Sequence, residues 1–195
     1  VQKDQALAEK YGLSGRFVAG YVGTHGMAHS LETVLEAADM MRKNGENHFR
    51  FILLGDGARK KALMKKAAVM GLDNVVFIDT VPKAEVVRYW SLLDASIIHL
   101  KKTRLFTSVI PSKIFECMGM GIPLLHGVAG ESAEIVEKEG AGLVFEPENA
   151  ADLCEKLRLL SRDKELYERL RENSLRAAAC YNRSVLADQM LEKLE

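Results

Sequence analysis

A lysine and a glutamate lie at the start of a predicted helix within residues 111–123, which read P-S-K-I-F-E-C-M-G-M-G-I-P. Pro111 favours a break before the helix, and Ser112 is a residue type that caps exposed backbone N–H groups. Lys113 and Glu116 are three residues apart, so they project from neighbouring positions near the helix start. A capping serine, a lysine and an open helix N-terminus together predict an anion-binding site.

A second anion-binding candidate is the turn G-T-H-G, formed by Gly23, Thr24, His25 and Gly26 after a predicted strand. Backbone N–H groups in such a turn cradle a phosphate when a helix follows, and an ordinary tight turn is the alternative. The G-D-G turn that begins at Gly55 lacks the third glycine of a dinucleotide fingerprint, because the chain continues A-R-K. It is a candidate for close backbone approach to a ligand, with plain turn chemistry as the alternative.

The histidines raise the question of a metal site. His25 and His29 are four residues apart, a spacing that binds metal on a helix. His25 falls in the turn, however, and neither a carboxylate nor a third ligand is nearby in sequence, so we predict no metal site. His99 and His126 lie at strand ends, where they are either core histidines or active-site donors.

Composition narrows the class of protein. The chain has 195 residues and 48% hydrophobic content, enough for one α/β domain with its own core. Its 27 basic residues balance 27 acidic ones, which argues against bulk nucleic-acid binding. Three scattered cysteines indicate reduced thiols in a cytoplasmic protein. No apolar run approaches the ~18 residues of a membrane span, and no signal peptide is visible.

Short apolar runs alternate with helical periods along the chain. Strands are predicted at residues 17–22, 49–54, 74–78, 95–100, 122–125 and 142–145. Helices are predicted at residues 2–11, 27–43, 85–93 and 131–139. A further helix follows the G-D-G turn and ends at residue 70, and another begins at residue 112. The chain is predicted to be helical from about residue 150 onward, with a break near Asn182. This alternation predicts an α/β, doubly wound, Rossmann-like domain with a six-stranded parallel sheet of order 3-2-1-4-5-6 and helices on both faces.

Ligands bind such a sheet at the carboxyl ends of the strands, where the strand order reverses. In the predicted order this point lies between strands one and four, flanked by loops 23–30 and 100–112. Lys101, Lys102 and Arg104 in the second loop form a charge run of the kind that is usually solvated surface. Beside the crevice they become candidates for phosphate contact, Lys102 among them.

The motifs together resemble the C-terminal, nucleotide-sugar-binding half of retaining glycosyltransferases of the two-Rossmann-domain type (GT-B), family 4 (group 1). The resemblance covers residues 18 to about 153. Its markers are F-V-A-G-Y-V-G-T-H-G, F-I-L-L-G-D-G, N-V-V-F-I-D-T-V-P, P-S-K-I-F-E-C-M-G-M-G-I-P and G-E-S-A-E-I-V followed by G-A-G-L-V-F-E-P. The G-T-H-G and P-S-K variants are similar to the bacterial surface-polysaccharide subgroup.

The resemblance implies roles for matched positions. Glu116 corresponds to the second glutamate of the family's Glu, seven residues, Glu signature and would accept hydrogen bonds from the ribose hydroxyls. Thr80, Val81 and Pro82 would contact the base, with Val81 as the nearest neighbour. The first glutamate of the signature falls at Ser108, so that half of the motif is absent.

The same resemblance predicts the groups around the diphosphate and the donor sugar. The turn at 23–26 would face the diphosphate, and Gly130, Glu131 and Ser132 match the loop that approaches the sugar and its phosphates. The family's phosphate-binding arginine and lysine fall at Thr24 and His29, which do not supply the same charge. We expect Lys113, with Lys101 or Lys102, to take over that role.

The implied activity is transfer of a sugar, with retention, from a nucleotide diphosphate sugar to a glycan or lipid-linked acceptor without a bound metal. UDP is the favoured nucleotide on the resemblance. The acceptor would bind an N-terminal domain absent from this chain, so we expect 1–195 to bind nucleotide but to be inactive alone. The full-length protein is expected in the cytoplasm, with peripheral contact at the inner face of the membrane. A non-catalytic nucleotide-binding or regulatory module and a nicotinamide-dependent oxidoreductase domain are the alternatives.

Overall fold

The computed structural model describes residues 2–181, and the helices and strands of that range alternate along the chain. The strands are β1 Phe17–Val22, β2 Phe49–Leu54, β3 Val75–Ile78, β4 Ala95–His99, β5 Leu124–Gly127 and β6 Gly142–Val144. The α-helices are α1 Gln5–Lys10, α2 Glu32–Lys43, α3 Lys60–Val69, α4 Val86–Trp90, α5 Lys113–Met120, α6 Glu131–Glu139, α7 Ala150–Arg162 and α8 Lys164–Cys180. Short 3-10 turns cover Met27–His29 and Arg104–Phe106.

The strands form one six-stranded sheet of order β3-β2-β1-β4-β5-β6, and every pairing is parallel. This confirms the predicted fold class and strand order. Strand β1 pairs with β2 along its whole length, from Phe17–Phe49 to Val22–Leu54. Its pairing with β4 is limited to Ala19 and Gly20, so the two strands separate toward their carboxyl ends and leave a crevice there.

Helices cover both faces of the sheet, because side chains alternate along each buried strand. The alternation assigns central-strand residues to two core clusters, Val18, Ile52 and Ile98 in one and Ala19, Phe51 and Ile97 in the other. Helix α5 contributes Ile114 to the first cluster and packs against α8. Helices α2 and α7 pack against each other over the second cluster. The crevice between β1 and β4 is therefore held by a core on each side.

The helix predicted over 27–43 is interrupted, which corrects that boundary. A 3-10 turn ends at His29, Ser30 adopts a left-handed conformation with φ 44°, and α2 begins only at Glu32. The apolar period of α2 was correctly placed, since Val34 and Leu35 are buried. The interruption was missed because serine carries no signal for positive φ.

The C-terminal helical region is divided at Asp163, where the sequence prediction placed no break. Helix α7 ends at Arg162, and the Asp163 side chain accepts a hydrogen bond from the Leu166 N–H at 2.9 Å, which caps α8. The break predicted near Asn182 lies outside the described residues. In the range 2–181, no helix is both long and apolar enough to cross a bilayer.

Candidate functional site

The loops after β1 and β4 meet at the carboxyl ends of these strands, as predicted. Gly23 (φ 144°) lies directly against Lys113, the first residue of α5, so that a Cβ atom at position 23 would sit 2.5 Å from Lys113 Nζ. The backbone conformation at position 23 favours glycine, and a Cβ atom there would force the end of the Lys113 side chain to shift. Two turns that are remote in sequence are thereby in direct contact.

Lys113 is the cation of this crevice. Its Nζ lies 5.2 Å from the centroid of the Tyr21 ring, and within residues 2–181 it has no hydrogen-bond or ion-pair partner. Burial lowers the pKa of Lys113, although Glu116 and Cys117 oppose the shift. A desolvated ammonium group without a fixed anion is costly to the folded state and is well suited to bind an anionic ligand.

A cavity of about 240 Å³ opens beside Lys113. It is lined by the ends of β1 and β4 and by the residues just before α5, namely Tyr21, His29, Ile98, His99, Leu100, Val109, Pro111, Ser112 and Lys113. Its position matches the crevice predicted from the strand order.

The predicted side-chain cap at Ser112 is wrong. Ser112 precedes α5, but its hydroxyl accepts no capping hydrogen bond. The Ile114 N–H donates instead to the Pro111 carbonyl at 3.1 Å, and the Phe115 N–H donates to the Ser112 carbonyl at 3.1 Å. Because this tight first turn satisfies those amides, the Lys113 side chain is the main candidate for anion binding at the helix start.

Glu116 is exposed on the first turn of α5, one turn beyond Lys113. Its carboxylate forms no ion pair within the described part of the chain, so both oxygens are open to solvent and to ligand. The buried neighbours Ile114 and Cys117 fix the orientation of this helix face. Ser108, at the position of the missing first glutamate, is exposed in the loop that precedes the helix.

Two of the four backbone amides of the G-T-H-G turn donate hydrogen bonds to the loop that follows β2. Its first and third amides donate to that loop, Gly23 N–H to the Leu54 carbonyl and His25 N–H to the Asp56 carbonyl, each at 2.8 Å. The N–H groups of Thr24 and Gly26 donate to no backbone carbonyl in the described range. These two amides are the ones left for a phosphate.

A second cavity, of about 260 Å³, borders Gly23 itself. It is lined by Val22, Gly23, Thr24, Leu54, Gly55, Asp56, Thr80, Val81 and Val86. The predicted base-contacting segment is thus beside the predicted diphosphate turn, with Pro82 exposed at its end. Gly55 (φ 137°) lets the turn after β2 pack directly on the backbone of Gly23, because a Cβ atom at position 55 would lie 2.8 Å from the Gly23 carbonyl carbon.

Lys60 holds together two segments beside this cavity. It was not predicted from the sequence. Its buried Nζ donates to the Gly55 carbonyl at 2.7 Å, to the Ile78 carbonyl at 3.3 Å and to the Asp79 carboxylate. It thereby joins the ends of β2 and β3 just before Thr80. The only sequence signal was a lysine placed five residues after the glycine of a turn, which is too common to identify a buried group.

The loop before α6 reaches the same edge of the sheet. Gly130 (φ 89°) packs on Thr107, and the Glu131 N–H donates to the Thr107 carbonyl at 2.9 Å. Glu131 is exposed, as its predicted role requires. The Ser132 side chain is fully buried, and its hydroxyl lies 2.9 Å from His126 Nε2. The Ser132 hydroxyl therefore serves the core, and His126 is a core histidine.

Lys102 lies apart from Lys113. Its Nζ pairs with the Glu146 carboxylate at 2.6 Å, which raises the pKa of Lys102. With Lys101 and Arg104 it lines a separate cavity of about 230 Å³. Lys102 therefore lines a different cavity from Lys113.

His25 and His29 do not form a metal centre with any third residue. No group of three or more metal-ligating side chains occurs in the described part of the chain. The His25 ring is buried, and neither ring nitrogen has a hydrogen-bond partner within residues 2–181. His29 stacks edge-on against Tyr21 with ring centroids 5.6 Å apart.

Four desolvated histidines around the crevice should make stability depend on pH. Burial lowers the pKa of His25 and of His126 to about 4 and also lowers the pKa of His29 and His99. Between their unfolded value near 6.5 and these lower values, the unfolded chain binds more protons than the folded chain. The free energy of unfolding should therefore fall as the pH drops through this window, by about 2 kcal/mol for His126 alone between pH 7.5 and pH 5.

Urea denaturation at the two pH values measures this loss. The variant His126→Gln should reduce the pH dependence, whereas His48→Gln, at an exposed position, should leave it unchanged. Equal unfolding free energies at pH 5 and pH 7.5 would contradict the assignment.

Solved structures of glycosyltransferases share the fold of this chain. The C-terminal domain of the Glycosyl Transferase Group 1 Family Protein LpcC from Francisella tularensis matches with a TM-score of 0.74 and 20% identity over 93% of each chain. Anabaena Alr3699/HepE in complex with UDP matches with a TM-score of 0.83 and 19% identity over 97% of this chain and 51% of that chain. The fold is thus that of a Rossmann-like half of a GT-B protein.

The family follows from sequence. Residues 3–176 match the family model described as Glycosyl transferases group 1, and the chain belongs to that family. Alpha-D-kanosaminyltransferase of Streptomyces kanamyceticus is 31% identical over 193 residues, which cover 94% of this chain and 47% of that protein. The chain therefore spans about half the length of this relative.

Proposed function

We propose that this chain is the donor-binding domain of a retaining GT-B glycosyltransferase that uses a nucleoside diphosphate sugar, with UDP as the nucleotide. The observation that carries the proposal is the desolvated Lys113 ammonium, which has no ion-pair partner within residues 2–181 and is held against Gly23 in the crevice between β1 and β4. Family membership and the UDP complex of Alr3699/HepE support the same ligand class.

In this proposal the nucleotide spans the cavity beside Lys113 and the cavity that borders Gly23. The base lies against Val81 and the neighbouring Thr80 and Pro82, and the ribose hydroxyls donate to the Glu116 carboxylate. The diphosphate lies between the free amides of Thr24 and Gly26 and the Lys113 ammonium. The Gly130 and Glu131 loop then borders the donor sugar.

The chemistry follows from the leaving group. Cleavage of the sugar–phosphate bond places negative charge on the departing diphosphate, and fixed donors aimed at that charge lower the barrier. Lys113 supplies the positive charge, and because its environment is already desolvated, its attraction for the diphosphate is little weakened by water. We propose that the reaction needs no bound metal, since this lysine and the turn amides act on the diphosphate directly.

The remaining parts of the proposal concern the whole enzyme. An N-terminal domain outside residues 1–195 would bind a glycan or lipid-linked acceptor, and closure between the two domains would complete the site. The chain by itself would bind nucleotide and transfer nothing. The whole enzyme would act in surface polysaccharide synthesis, in the cytoplasm or at the inner face of the membrane.

A thermal unfolding series with UDP, GDP, ADP and NAD tests the ligand class. At about 100 times its dissociation constant a ligand adds about 2.7 kcal/mol, which raises the melting temperature by about 5–10 °C for a chain of this size. We expect this rise with UDP and a smaller one with uridine, which lacks the diphosphate. Stabilisation by NAD alone would support an oxidoreductase domain instead, and no stabilisation by any nucleotide would overturn the proposal.

A further inference from the structure

Ser30 and Glu148 share an unusual backbone conformation and touch each other. They are the non-glycine residues with positive φ among residues 2–181, at 44° and 63° respectively. The Ser30 hydroxyl donates to Glu148 Oε1 at 2.8 Å. Such conformations are unfavourable for residues with a side chain, so the surrounding contacts must hold them in place. Two such residues, 118 positions apart and joined by one hydrogen bond, indicate a fastening point.

Glu148 also holds the loop after β4. Its second carboxylate oxygen, Oε2, accepts from the Lys102 backbone N–H at 2.8 Å. These two contacts lower the pKa of the Glu148 carboxyl, the Lys102 amide more than the Ser30 hydroxyl. One side chain from the segment after β6 therefore binds both loops that border the crevice. A direct bond from the Lys101 N–H to the Ala28 carbonyl, at 2.9 Å, brings the same loops together.

His99 completes the connection inside the protein. Its Nε2 accepts the Glu148 backbone N–H at 2.8 Å, and its Nδ1 lies 2.8 Å from the His29 carbonyl oxygen. Because a carbonyl only accepts, Nδ1 must carry the proton and Nε2 must be bare. The ring is 1% exposed and stacks on Phe145 at 5.7 Å. Neutral His99 thus ties the β6 segment to the turn that carries His29.

The fastened segments are those that carry the proposed diphosphate site. His29 and Ser30 lie three and four residues after Gly26, the last residue of the G-T-H-G turn, and His29 lines the same cavity as Lys113. A displacement of this turn would change where the amides of Thr24 and Gly26 lie relative to the Lys113 ammonium. Small displacements matter, because hydrogen bonds to a charged group weaken steeply with distance and angle.

We propose that Glu148 and His99 are positioning residues of the diphosphate site, fastening the loops after β1 and β4 at the spacing that a nucleoside diphosphate requires. The role rests on the function proposed above. Neither residue touches the ligand in this account. Their effect is to keep the turn in place before the ligand arrives, so that binding does not have to order it.

Calorimetric titration of the Glu148→Ala chain with UDP and with UMP tests the role. The variant is expected to bind UDP about tenfold more weakly than the unaltered chain, because the two carboxylate contacts are lost. UMP lacks the second phosphate and should lose less affinity. The ratio of the two affinities is the informative quantity, since simple destabilisation of the fold would weaken both ligands alike.

The matched control is Glu146→Ala, which removes the same charge from the same segment. Glu146 makes an exposed pair with the Lys102 side chain and does not touch Ser30 or His99. Its UDP to UMP ratio should stay at the unaltered value. Glu148→Gln retains one acceptor oxygen and should recover part of the UDP affinity.

The outcomes separate the two proposals. If Glu148→Ala leaves the UDP to UMP ratio unchanged, the positioning role is overturned while the nucleotide site stands. If the unaltered chain binds neither UDP nor UMP, the proposed function itself fails. Melting temperatures of all variants identify a chain that has not folded, and in that case Ser30→Gly supplies the same comparison, because glycine tolerates the positive φ and lacks the hydroxyl.

Discussion

Replacing Lys113 with methionine is expected to weaken UDP binding by roughly 10- to 100-fold while leaving the chain at least as stable as before. The affinity falls because a charge-assisted hydrogen bond to phosphate contributes about 1.5–3 kcal/mol. The stability is kept because burial makes this ammonium, which forms no ion pair with the described part of the chain, costly to the folded state, as its lowered pKa indicates. Methionine keeps the apolar stem that packs on Tyr21 but carries no charge.

A ligand-binding lysine and a structural lysine predict different results for this variant. Loss of a ligand-binding lysine lowers the UDP affinity without lowering the free energy of unfolding, whereas loss of a structural lysine lowers the free energy of unfolding. Calorimetry with UDP and urea denaturation of the same samples measure both quantities. Lys61→Met is the matched control, since Lys61 is exposed on α3 and lies outside the crevice. Unchanged UDP affinity in Lys113→Met would remove Lys113 from the site.

Gly23→Ala is expected to weaken UDP binding by up to the roughly 10- to 100-fold expected for loss of the Lys113 charge. The new Cβ atom would lie 2.5 Å from Lys113 Nζ, so the lysine side chain must leave its present position. The φ of 144° adds backbone strain of about 1–3 kcal/mol, which should appear as a lower free energy of unfolding. Calorimetry and denaturation again report the two effects separately.

Gly12→Ala controls for the strain alone. Gly12 also has positive φ, at 66°, but no atom lies within 4 Å of a Cβ placed there. This variant should lose stability and retain UDP affinity. If Gly23→Ala behaves like Gly12→Ala, the contact between Gly23 and Lys113 has no bearing on nucleotide binding.

The fold was predictable because its signals are local and repeated. Buried parallel strands such as Phe17–Val22 and Phe49–Leu54 are near-continuous apolar runs, interrupted in the second by Arg50, and the helices between them bury one regular stripe. Strand order then follows from the handedness of the crossovers. The contact between the 23–26 turn and Lys113 follows in turn from the strand order, without any side-chain detail.

The supporting contacts of the site were not predictable in this way. Lys60, His99 and Glu148 act through hydrogen bonds to backbone groups of distant segments. Such bonds depend on a spacing of a few tenths of an ångström that no periodicity encodes. The predicted side-chain cap at Ser112 was wrong for a related reason, because a tight first turn competes with a side-chain cap for the same amides.

A crystal structure of the chain with UDP would show which groups surround the diphosphate. We expect the diphosphate between Lys113 Nζ and the amides of Thr24 and Gly26, with the ribose hydroxyls on the Glu116 carboxylate. UDP bound at another edge of the sheet, or bound with Lys113 still without an anionic partner, would contradict this prediction.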